Sequence, residues 1–218
     1  MHIPLTIPRF YPILDVAAAG RHGFSIVLTA SDILEAGAKI LQFRHKGFFS
    51  RELFATLEEI GALCREAGAM LVVNDRADLA RMLAVNGLRA GVHLGQDDLA
   101  PSLARRVTGD DALIGFSTHN ERQLRDAQSE PADYFAFGPV FATVSKQNPD
   151  PVAGLDELKR LRTLVSRPFV AIGGITRERA RSVFDAGADS VAVIGDLYPE
   201  VGRIRDRAAE WLAVTSVI

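Results

Sequence analysis

The sequence predicts an α/β protein, a single compact (β/α)8 TIM barrel domain spanning residues 1–218, and three observations carry that expectation. Short, continuously apolar runs recur, each followed by a longer stretch of helical periodicity, the pattern of repeated βα units around a parallel sheet. The runs lack polar alternation, as strands covered on both faces require. About eight units fill the chain with no stretch of linker composition between them, so a second domain has nowhere to begin. A doubly wound open sheet is the alternative arrangement of the same pattern.

Strands are expected at Phe10 to Leu14, Ile40 to Arg44, Met70 to Asn74, Gly91 to Leu94, Leu113 to Ser117, Tyr134 to Phe137, Phe169 to Ile172 and Ser190 to Ile194. Helices are expected near Thr29 to Ala36, Arg51 to Ala67, Asp78 to Ala84, Leu99 to Thr108, Glu121 to Gln128, Leu155 to Leu164, Arg177 to Ala186 and Glu200 to Ala213. Ser50 and Thr176 stand where N-caps belong. Three helix ends read alike, Glu35-Ala36-Gly37-Ala38, Glu66-Ala67-Gly68-Ala69 and Asp185-Ala186-Gly187-Ala188, each placing a glycine where the chain turns left-handed before a strand.

Composition narrows the partners. With 48% apolar and 24% charged residues the chain can bury a sizeable core, which excludes disorder, collagen and coiled coil. Twenty-five basic against 27 acidic side chains leave a net charge of −2 and no basic field for a polyanion, so no nucleic acid partner is expected. The single cysteine, Cys64, has no intramolecular disulfide partner, and no signal-like or membrane-length apolar run is present. The expectation is a cytoplasmic protein with no membrane partner; a homo-oligomer is compatible with the sequence.

In a parallel barrel, chemistry gathers where the strands exit at their C-terminal ends. The second strand leaves through Gln42-Phe43-Arg44-His45-Lys46, whose alternation sends Gln42, Arg44 and Lys46 to one side and Phe43 to the other. The third and fourth end in Asn74-Asp75-Arg76 and His93-Leu94-Gly95-Gln96-Asp97-Asp98. Adjacent strands bring Asp75 and Asp98 within reach of each other. Two carboxylates beside cations suit a divalent ion shared with a phosphorylated ligand, but each aspartate equally suits a helix N-cap, and paired acid–base work is a third use. Ser117, Thr118 and His119 leave the fifth strand; capping suits Thr118, and His119 is either a base or a surface residue. His93, in mid-strand, reads as a satisfied interior histidine.

The segment Gly138-Pro139-Val140-Phe141-Ala142-Thr143-Val144-Ser145-Lys146, with Gln147 to Pro151 after it, is long for so compact a barrel and reads as a lid over an anionic ligand. Glycines at Ile172-Gly173-Gly174 and Ile194-Gly195 match the phosphate cradle that the last two loops of this fold form. No arginine or lysine stands directly at either strand end, and Arg177 is expected to face solvent.

Taken together, these blocks resemble thiamine phosphate synthase, in the superfamily it shares with the thiazole tautomerases. The resemblance runs along nearly the whole chain through Gln42 to Lys46, Val73 to Arg76, Gly91 to Leu99, Gly115 to His119, Gly138 to Phe141 with Thr143 to Lys146, and Ala171 to Ile175. It implies joining of hydroxymethylpyrimidine diphosphate to a thiazole phosphate, with small-molecule substrates and Mg2+ as cofactor. It further implies that the stretch Gln42, Phe43, Arg44, His45, Lys46, with Asn74, holds the pyrimidine diphosphate and that Asp75 and Asp98 hold the metal. Ser117 would contact the pyrimidine and Lys146 its diphosphate; Thr143, Val144, Ser145, Gly174, Ile194 and Gly195 would receive the thiazole phosphate. Arg44, Lys46, Lys146 and Ser117 would be the catalytic set. Three departures from the family pattern are Ser145 where threonine is frequent, Gly195 where serine is frequent, and a first strand ending Ile13-Leu14-Asp15 with a loop lengthened by Arg21-His22-Gly23. A thiazole tautomerase using His119, or a non-catalytic barrel that binds phosphates, are the competing functions.

Overall fold

The computed structural model describes residues 6–143, 151–198 and 203–217. Among them eight parallel strands close into a barrel in chain order, each followed by helix. The strands are β1 (Phe10–Asp15), β2 (Ile40–Arg44), β3 (Met70–Asn74), β4 (Ala90–Leu94), β5 (Ile114–Thr118), β6 (Tyr134–Phe137), β7 (Phe169–Ile172) and β8 (Ser190–Val193). The helices are α1 (Val16–Arg21), α2 (Ile26–Glu35), α3 (Arg51–Glu66), α4 (Ala77–Val85), α5 (Pro101–Thr108), α6 (Glu121–Ala127), α7 (Gly154–Arg162), α8 (Arg177–Asp185) and α9 (Ile204–Ser216). None is long and apolar enough to cross a membrane.

Alternation along each strand divides the buried side chains into two cores. Phe10, Leu41, Phe43, Val73, Val92, Phe135, Phe169 and Val191 point outward and pack under the helices. Tyr11, Ile13, Ile40, Val72, Tyr134, Ala136, Val170 and Ala192 point inward and fill the barrel. The next inward position on several strands falls at the C-terminal rim, which puts Arg44, Asn74, His93, Ser117 and Ile194 around one opening.

Ser50 caps α3 by accepting from the Leu53 N–H at 3.2 Å. The three repeated helix ends behave as their sequence implies, with Gly37, Gly68 and Gly187 all at positive φ. The first connection differs from expectation. In place of a long loop and a helix from Thr29, the alanine-rich stretch after β1 forms α1 at once. Asp15 starts it by accepting from the Ala18 N–H at 2.7 Å, and α2 follows from Ile26. At α5 the start moves from Leu99 to Pro101, whose fixed φ suits the first helical position. After β8 the chain turns through a short 3-10 segment, Gly195–Leu197.

The C-terminal helix α9 is fastened by Trp211, fully buried and stacked on Phe10 with ring centroids 5.6 Å apart. Truncating Trp211 to alanine should cost about 3–5 kcal/mol in urea unfolding, the usual scale for a deleted core aromatic. A loss under about 1 kcal/mol would show that α9 is not held through this ring.

Candidate active site

The rim residues open onto a cavity of about 550 Å³ at the C-terminal end of the barrel. Of the residues singled out from the sequence, Gln42, Arg44, Lys46, Asn74, Asp75, Asp98, Ser117, Thr143, Gly174, Ile194 and Gly195 line it together. Phe43 and His45 do not. Phe43 is turned outward into the layer beneath the helices, and His45 folds onto its own loop, with Nε2 3.1 Å from the Phe48 carbonyl. Val144, Ser145 and Lys146, and with them residues 144–150 of the expected lid, lie outside the described residues.

One wall is polar and is built by β1 to β5. Asp15 and Arg44 are register partners on β1 and β2 and form an ion pair, so the cap of α1 also orients the first cation of the wall. Lys46 donates to Asp75 at 2.6 Å. Asp75 is not a helix cap: Arg76 occupies that position for α4, and Asp75 holds φ of 65°, the left-handed region that aspartate and asparagine tolerate better than other side chains. Burial pushes its carboxyl above the ordinary range; the Lys46 ammonium counteracts this, and the neighbouring Asp98 carboxylate adds to the rise. The two aspartates therefore meet, as strand adjacency predicts. Asp98 also accepts from the Gly95 N–H at 2.7 Å, which fixes its turn. Beside them the Asn74 amide nitrogen is buried, lines the cavity and has no hydrogen-bond partner. A buried donor left unpaired costs about 1–3 kcal/mol, so a ligand acceptor there would recover it.

Behind this wall a hydrogen-bonded chain crosses the barrel interior. The Gln42 amide donates to the Tyr11 hydroxyl at 3.0 Å, which lies 2.8 Å from that of Tyr134. Tyr134 lies 2.9 Å from His93 Nδ1, and His93 Nε2 lies 2.8 Å from the Ser117 hydroxyl. In the Nε2–H tautomer of His93, Tyr11 donates to Tyr134, Tyr134 to Nδ1, and Nε2–H to Ser117. The Ser117 O–H is then left to donate into the cavity. Burial raises the pKa of both phenols, so both keep their protons. Burial also lowers His93 from 6.5 to about 4, with Asp98 opposing that shift and Lys46 reinforcing it, and the ring stays neutral. Tyr134 finds room because residue 115 is glycine: a Cβ there would lie 2.1 Å from its ring.

The opposite wall, from β6 to β8, is apolar, with Ala136, Val170, Ile172, Ala192 and Ile194 facing the cavity. Its upper edge is backbone. At Gly174 a Cβ would strike the Ala142 carbonyl at 2.2 Å, so this glycine is required by the packing of the β6 and β7 loops. At Gly195 a Cβ would meet nothing within 4 Å, which makes this the position where a ligand has open access to the main chain. Thr118 is not a cap; its hydroxyl donates to the Ala136 carbonyl at 3.1 Å, and Asn120 caps α6. His119 donates through Nδ1 to the Gly138 carbonyl at 2.6 Å. Arg177 does not face solvent; it is tied to Asp196 and Glu210. Arg179, which the sequence reading passed over, lines the cavity.

The neutral, buried His93 has a consequence for stability. Below pH 6.5 the unfolded chain takes up a proton at this residue that the folded chain refuses until about pH 4. Its contribution is therefore complete above pH 6.5 and lost as pH falls through 4, amounting to about 3 kcal/mol. Urea unfolding across that window should show a decline in the wild type that is smaller by this amount in His93→Gln; parallel declines would contradict the burial of a neutral ring.

Comparisons with known proteins agree with the fold. The model of the family described as thiamine monophosphate synthase matches residues 10–197. A thiamine-phosphate synthase of Koribacter versatilis is 48% identical over 213 residues, covering 96% of this chain and 97% of its own. One of Haloarcula marismortui is 41% identical, covering 92% of each chain. Among solved structures, a thiamine phosphate pyrophosphorylase from Pyrococcus furiosus superposes with a TM-score of 0.82 at 31% identity and 96% coverage of both chains. On the family match and these identities, the chain belongs to the thiamine monophosphate synthase family, whose members are transferases.

Proposed function

We propose that this protein joins hydroxymethylpyrimidine diphosphate to a thiazole phosphate, releasing diphosphate and forming thiamine phosphate. The observation that supports this best is a single cavity with two unlike walls: cations, carboxylates and an unpaired amide on one side, apolar side chains topped by open backbone on the other. Two anionic substrates need two such places, and their organic rings need a dry space between them.

In this reading Gln42, Arg44, Lys46 and Asn74 hold the pyrimidine diphosphate, and Ser117 donates to the pyrimidine ring. Thr143, Gly174, Ile194 and Gly195 receive the thiazole phosphate. Asp75 and Asp98 suit Mg2+, which commonly takes one or two carboxylates and fills its remaining positions with phosphate oxygens and water. When bound, the ion would neutralise charge on the diphosphate.

The bond between the pyrimidine methylene and the diphosphate oxygen breaks first, with its electron pair leaving on oxygen. The thiazole nitrogen then donates its lone pair to the methylene carbocation. Arg44 and Lys46 stabilise the charge that gathers on the leaving group, and the apolar wall keeps water from the cation. No strong base is required, which fits a His93 held neutral inside the barrel.

The deciding experiment incubates the protein with both substrates, with and without Mg2+, and measures thiamine phosphate and diphosphate. Turnover of a thiazole carboxylate phosphate without any pyrimidine would favour an isomerase instead. Asp75→Asn and Asp98→Asn should each raise the barrier by about 2–4 kcal/mol, the scale of losing one transition-state stabilising group, while leaving thermal unfolding close to wild type. Wild-type turnover in either variant at limiting Mg2+ would remove the metal assignment.

A further inference from the structure

We infer that Arg179 is the cation that recognises the phosphate of the second substrate and sets the preference for a phosphorylated thiazole over the free alcohol. This rests on the reaction proposed above. Arg179 sits in the first turn of α8 and lines the cavity on its apolar side. One guanidinium N–H donates to the Gly174 carbonyl at 2.9 Å, and the group lies over the Phe141 ring, 4.7 Å from its centroid. These two contacts hold the guanidinium against the β6 and β7 loops while four of its five N–H groups remain for a ligand.

Charge accounting singles this residue out. Arg44 and Lys46 each face a carboxylate, Asp15 and Asp75. On α8, Arg177 pairs with Asp196 and Glu210, and Arg181 pairs with Asp185. Among the described residues no carboxylate pairs with Arg179, so it is the cavity-lining side-chain cation there whose charge is not already answered. A phosphate dianion set against Ile172, Ala192 and Ile194 loses water and needs more than backbone dipoles in return. Guanidinium meets phosphate through paired N–H donors, a geometry that neither a backbone amide nor a point charge reproduces.

The test is steady-state kinetics of wild type, Arg179→Gln, Arg179→Lys and the control Arg181→Gln. Each is measured with thiazole phosphate and with the unphosphorylated thiazole alcohol, alongside calorimetric titration with inorganic phosphate. Arg179→Gln should raise KM for thiazole phosphate about tenfold or more, the effect of one charge-assisted hydrogen bond. It should leave KM for the pyrimidine diphosphate and kcat/KM for the alcohol nearly unchanged. Arg179→Lys should recover part of the loss, and Arg181→Gln should behave as wild type. If wild type makes no thiamine phosphate but Arg179→Gln still weakens phosphate binding about tenfold, the reaction assignment falls and the anion contact stands. Unchanged KM and phosphate affinity in Arg179→Gln, or an equal rise in KM for both substrates, would overturn the inference.

Discussion

The interior of this barrel has no solvent-facing side, and that constraint organises the molecule. Any polar group that a strand turns inward must find a partner within the barrel or face the rim cavity. Gln42, Tyr11, Tyr134, His93 and Ser117 solve the problem as one chain, each covering the polar atom of the next. The chain begins and ends at residues that line the cavity, so satisfying the core and arranging the site are a single task. Glycine at position 115 belongs to it as well, because the space a side chain would take is filled by the Tyr134 ring.

The two walls differ in how their charge is answered. On the β1 to β5 side Arg44 and Lys46 are already paired with carboxylates, so in the proposed reaction a diphosphate would exchange partners rather than find bare charge. The gain on binding would be correspondingly smaller in the ground state and would grow as negative charge built on the departing group. On the β6 to β8 side the rim offers instead open backbone and a guanidinium held in place by a carbonyl and an aromatic face.

What the sequence disclosed and what it withheld divide along the range of the interactions. Strands β2, β3, β6 and β7 coincide with the expected runs because their apolar character is local, and Ser50 caps α3 for the same reason. The meeting of Asp75 and Asp98 was also legible, since consecutive barrel strands must lie side by side. The link between His93 and Tyr134 was not, because 41 residues separate them and they meet across Gly115, the register partner of both on β5. Arg179 escaped notice for a related reason: it stands five residues beyond Gly174 and reaches back along the first helical turn, where a reading confined to strand ends does not look. Arg177 was misjudged because its partner Glu210 comes from α9.

The left-handed backbone of Asp75 limits what can replace it. Short Asx side chains reach that conformation at modest cost, whereas glutamate, with its longer stem, is poorly suited to it. Charge at this rim position can thus be removed by an amide of the same shape, but it is not readily carried further out on a longer arm. The distance between the two acidic groups is accordingly set by a main-chain torsion as much as by side-chain choice, and drift at this site has a narrow set of steps open to it.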